Sequence, residues 1–63
     1  MTFQQRVIEE RNELDEKLDK LLDFCDTTIF ESLPDEEKTS LLIQQNLMAA
    51  YSNVLQSRIK RFK

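Results

Sequence analysis

One proline and no glycine punctuate 63 residues. Without glycine a helix cannot end in the usual left-handed cap. Neither a glycine-rich phosphate loop nor a dinucleotide fingerprint can be built. On either side of a short central stretch the sequence carries the helical period. The spacing predicts one helix over about residues 2–26, a connection over 27–32 and a second helix over about 33–62. The chain reads as all-α: an antiparallel two-helix hairpin forming a single domain over residues 1–63.

In the first segment Phe3, Val7, Leu14, Leu18, Leu21 and Cys25 form one apolar stripe, with Arg11 in its single gap. Thr2 suits the N-cap. Glu13–Lys17 and Glu16–Lys20 have the favourable acid-first order one turn apart. Asp15, Asp19, Asp23 and Asp26 read as a solvated acidic flank. Adjacent Thr27 and Thr28, followed by Ile29, weaken the helix. Ile29 and Phe30 are expected to fold over the open end of the hairpin. Ser32 with Asp35 resembles a capping box around Pro34, and Asp35, Glu36 and Glu37 suit the start of a second helix.

The second helix carries more apolar surface than one partner needs. Leu41, Met48, Leu55 and Ile59 make a stripe sufficient to pack on the first helix. Ile43, Leu47, Ala50 and Val54 make another. Together they cover about half the circumference, where one contact takes roughly 100°. Length points the same way, because a core this small rarely supplies more than about 3–5 kcal/mol. One cysteine and no histidine leave neither an intrachain disulfide nor a zinc site as a staple. The hairpin is therefore expected to oligomerise into a helical bundle, as a dimer or higher homo-oligomer.

Gln44, Tyr51 and Arg58 run between the two stripes at seven-residue intervals and so share one face. Polar groups amid apolar ones need partners. Two explanations stay open. One is an interface network that fixes register between chains. The other is a ligand pocket, in which guanidinium holds phosphate, phenol stacks on a base and amide reads hydrogen-bonding edges. Arg6 and Lys17, on the matching flank of the first helix, could border the same groove.

Several functions are excluded or disfavoured. Glu9, Glu10 and Glu13 lack any accompanying catalytic group, so no enzyme, catalytic residue, metal or cofactor is expected. A net charge of −3 argues against a nucleic-acid duplex. The charge is uneven. Residues 1–31 hold nine acids and four bases, a balance of −5; residues 32–63 hold three acids and five bases, a balance of +2. Lys60, Arg61 and Lys63 suit a helix C-terminus. No apolar run reaches the roughly 20 residues of a membrane span, so no membrane partner is expected and the location expected is the cytoplasm.

The run Arg6-Val7-Ile8-Glu9-Glu10, then Glu13-Leu14, Lys17-Leu18, Lys20-Leu21 and Phe24, resembles the start of a family of very short helical phage proteins. Leu41-Leu42, Gln45, Met48, Tyr51, Leu55 and Arg58-Ile59 extend the likeness over nearly the whole chain. Such proteins occur in crAss-like phages, and the likeness extends to anti-defence nucleotide sponges of the Sequestin type. The resemblance implies a protein that binds an ADP-ribose derivative or cyclic nucleotide used as an immune signal, without cleaving it. It implies Arg58, Arg6 and Lys17 on phosphate, Tyr51 on base or ribose, and Gln44 and Gln45 as amide contacts. The alternative is a helical interaction module that binds and inhibits a host or phage protein.

Overall fold

The computed structural model describes residues 2–62. It contains α1 (Phe3–Cys25), a single turn α2 (Thr28–Glu31) and α3 (Asp35–Lys60). Among the described residues all regular structure is helical. α1 and α3 lie antiparallel, with Phe3 against Phe62 at one end and Asp15 against Ser52 near the middle. The hairpin measures 47 × 15 × 14 Å.

α1 begins with a complete capping box. The Thr2 hydroxyl accepts from the Gln5 N–H at 3.1 Å, and Gln5 Oε1 accepts from the Thr2 N–H at 2.9 Å. Its end is stopped by Thr27, whose hydroxyl donates to the Phe24 carbonyl at 2.6 Å and accepts from the Phe30 N–H at 3.2 Å. One threonine thus closes α1 and caps α2, which is why the connection is a helical turn rather than a loose loop.

The expected Ser32–Asp35 capping box does not form. Leu33 precedes proline, a position disfavoured in the helical region, and α3 starts at Asp35. Pro34 is itself the N-cap, with no side-chain cap bond. Ser32 instead donates its hydroxyl to the Ile29 carbonyl at 2.7 Å, closing α2. The three acids of the first turn and Arg58 and Lys60 in the last turn complement the α3 dipole. Lys63 lies outside the described residues.

Phe30 packs edge-on against Phe24, with ring centroids 6.2 Å apart, and closes the α2 end of the hairpin. Ile29 does not join it and stays exposed.

Among the described residues two apolar side chains are buried, Val7 at 3% and Leu55 at 0% exposure. Leu14, Leu18, Leu21, Cys25, Leu41, Met48 and Ile59 are half-buried around them, as their stripes predict. The middle of the interface is polar, which the stripes did not predict. Ser52 is buried and donates to Asp15 Oδ1 at 2.5 Å. Asp15 Oδ2 lies 3.5 Å from Arg11 Nε. Asp15 is therefore not part of the solvated flank to which Asp19, Asp23 and Asp26 belong; it sits at the edge of the packed stripe, within reach of α3. Arg11 Nε and Gln56 Oε1 are buried there without hydrogen-bond partners.

Candidate functional site

The second apolar stripe of α3 has no partner within the chain. Ile43 is 53%, Leu47 66% and Val54 55% exposed. At about 100° per residue, its centre lies roughly 140° around α3 from the side that packs on α1. The polar line Gln44–Tyr51–Arg58 falls in the angle between these two sides. It runs along roughly 21 Å of helix, with about 10 Å between successive members.

Each member of the line has distinct surroundings. The Arg58 guanidinium carbon lies 5.6 Å from the centroid of the Phe3 ring, a cation–π contact, and Phe3 in turn tilts against Phe62 with centroids 6.1 Å apart. Arg58 is half-buried by this arrangement. Tyr51 is exposed at mid-helix. Gln44 is exposed, with its amide 3.9 Å from the Met48 sulfur. Among the described residues the ion pair formed is Arg11–Asp15, and no acid of that set pairs with Arg58.

The Arg58–Phe3 and Asp15–Ser52 contacts fix which sides of the two helices coincide. By helix phase, the flank of α1 carrying Arg6, Glu10 and Lys17 lies on the same side of the hairpin as Gln44, Tyr51 and Arg58. Arg6 stands near the level of Arg58, and Lys17 at a level between Gln44 and Tyr51. Both are exposed. Five of the six candidate residues therefore share one side. Gln45 does not. It is about 100° from Gln44, half-buried on the side of Ser52 and Gln56. Phe3 is the residue the sequence reading left out. It counted as one more member of the α1 core stripe, yet it is 63% exposed and supports Arg58.

This side of the hairpin offers three cations, a phenol and an amide, and no nucleophile–base pair. Among the described residues no group of His, Cys, Asp and Glu could hold a metal ion. Among the described residues no helix is long and apolar enough to cross a membrane.

The Sequestin family model matches residues 1–61 of the sequence. The chain belongs to the Sequestin family. The match spans both long helices and the connection, and takes in every candidate site residue. The family name suggests a sequestering, anti-defence role. Neither a curated protein nor a solved structure is similar enough to this Sequestin chain to be matched.

Proposed function

We propose that this Sequestin protein is a non-catalytic, anti-defence sequestering protein of phage origin, acting in the host cytoplasm. Its ligand is a nucleotide-derived immune signal, an ADP-ribose derivative or a cyclic nucleotide, held intact. Arg58, Arg6 and Lys17 neutralise phosphate, Tyr51 stacks on base or ribose, and Gln44 supplies an amide contact. The observation that carries this reading is the shared side. In a family named for sequestration, the cations of α1 and the polar line of α3 lie together without a catalytic group. One hairpin presents these groups on a convex surface, and small ligands are held in concave sites. The reading therefore includes association of hairpins, with a second copy supplying the other wall.

The test is a thermal shift of the purified protein against ADP-ribose derivatives and cyclic nucleotides. A ligand at about 100 times its Kd contributes roughly 2.7 kcal/mol. For a domain this small that raises Tm by on the order of 10 °C. The ligand should be recovered unchanged on denaturation. Arg58→Ala should remove the shift while the protein keeps its helical content and oligomeric size. A flat panel with a folded, associated protein favours the second reading, a module that inhibits another protein. The exposed Ile43, Leu47 and Val54 give that reading its support.

A further inference from the structure

The unpartnered face of α3 is patterned more strictly than an exposed face needs to be. Its apolar centre is Ile43, Leu47, Ala50 and Val54, in steps of four, three and four. The same alternation extends to Ser40 and Glu36 toward the N-terminus, and to Ser57 and Arg61 toward the C-terminus. All eight residues are exposed in the hairpin. This is a heptad seam, the spacing by which one helix packs along another. It is distinct from the seam already occupied by α1.

The seam is also self-complementary when reversed. About a point level with the Met48–Ala49 peptide, Leu47 mirrors Ala50, Ile43 mirrors Val54, Ser40 mirrors Ser57 and Glu36 mirrors Arg61. We infer that α3 pairs antiparallel with α3 of a second copy about a two-fold axis at that level, placing Glu36 of each chain against the partner's Arg61. Four properties of the seam point to this one occupant. A two-fold interface requires a surface that matches itself, and this one does. Each apolar layer faces an apolar layer, with the large Leu47 against the small partner's Ala50. The ends carry opposite charge, acid at Glu36 and base at Arg61, so reversal brings attraction at both ends. Parallel pairing would instead stack Arg61 on Arg61 and Glu36 on Glu36. Slipping the antiparallel pair by one heptad would set Val54 against the partner's Glu36, so the register is specified as well.

The exposed area agrees in size. The chain exposes 5004 Å² at 7.5 kDa. A compact monomer of that mass exposes about 4,200 Å². The surplus, roughly 800 Å², comes with the elongated 47 × 15 × 14 Å shape and leaves room for the approximately 800 Å² that each partner buries in a standard interface.

The pairing deepens the proposed function, and rests on its association step but not on the ligand. On the flank between the two seams, Gln44 meets the partner's Tyr51, and Arg58 meets the partner's Glu37. The polar line then lies in a groove with the chain's own α1 on one side and the partner's α3 on the other. A guanidinium has five N–H donors, enough for that carboxylate and a phosphate together.

Cysteine crosslinking in a Cys25→Ser background tests the geometry. Ser40→Cys combined with Ser57→Cys should give a covalent dimer under mild oxidation. The two positions lie about 25 Å apart along one helix, so an intrachain bond is out of reach. Each single variant should remain uncrosslinked, because equivalent positions are equally far apart in the antiparallel pair. Crosslinking of either single variant would mean parallel pairing and overturn the inference. A second measurement uses variants that leave the apolar seam intact. Glu36→Arg or Arg61→Glu should weaken the dimer about tenfold by sedimentation, and the two changes together should restore it. Failure of restoration counts against the register. A chain that stays monomeric at all concentrations overturns both the pairing and the association step of the sequestering reading. A crosslinked antiparallel dimer with a flat ligand panel keeps the pairing and removes only the ligand.

Discussion

The two faces of α3 differ in a way their hydropathy does not suggest. The face against α1 contains Leu41, Met48, Leu55 and Ile59, but also the buried Ser52 and the buried oxygen of Gln56. The opposite face is apolar through its centre from Ile43 to Val54 and is fully exposed. The more mixed face is the buried one. Burial follows from what lies opposite: α1 supplies Asp15 to Ser52, while the Gln56 oxygen is buried without a hydrogen-bond partner. The inner face defines the hairpin, whereas the outer one meets nothing among the described residues.

The sharpest way to separate the faces is to truncate one leucine on each. Leu55 has no exposure and Leu47 has 66%. Leu55→Ala should cost about 2–5 kcal/mol. A core of this size supplies about 3–5 kcal/mol, so that variant should be largely unfolded by circular dichroism at 25 °C. Leu47→Ala should change the dilute hairpin by no more than about 0.5 kcal/mol. It should lower Tm only at concentrations where the wild-type chain associates. A loss from Leu47→Ala that does not depend on concentration would mean that the outer face contributes to the hairpin itself, and the contrast would fail.

A smaller contrast tests the polar middle of the inner interface. Ser52→Ala removes a hydrogen bond to a carboxylate and leaves Asp15 short of a partner beside α3. It should cost about 1–3 kcal/mol. Ser57, exposed on the outer face, should tolerate the same change within about 0.5 kcal/mol in the dilute chain. Denaturant titration of both variants reads the difference. Equal costs would show that the Ser52–Asp15 bond adds nothing beyond exposed serines.

Both long helices and their apolar stripes were legible in the sequence because period and composition agree over more than twenty residues in each. The excess apolar face was legible for the same reason. The Asp15–Ser52 contact was not, because each residue reads as ordinary surface within its own helix. Only the register between helices brings them together, and no single-helix pattern carries that register. Gln45 entered beside Gln44 through the family resemblance, and one step along a helix turns its side chain about 100°, toward Ser52 and Gln56. Phe3 was counted as core from its place in the stripe, yet it stands at the end of the hairpin, where Arg58 and Phe62 lie against it and leave it 63% exposed.

The connection gives the smallest and most local contrast, between two hydroxyls only five residues apart. The sequence favoured Ser32 as a cap, from its spacing to Asp35 and the neighbouring proline. The structure gives the capping role to Thr27, which holds the end of α1 and the start of α2 together. Proline explains the exchange. The residue before a proline is disfavoured in the helical region, so α3 starts beyond the reach of Ser32. Thr27→Ala should then cost about 1 kcal/mol, the usual value of an N-cap hydroxyl. Ser32→Ala, which loses only a bond to the Ile29 carbonyl at an exposed turn, should cost a few tenths of a kcal/mol. Thermal melts of the two variants at one dilute concentration compare them directly. The reverse order would place the start of α3 at Ser32 and restore the capping box that the sequence suggested.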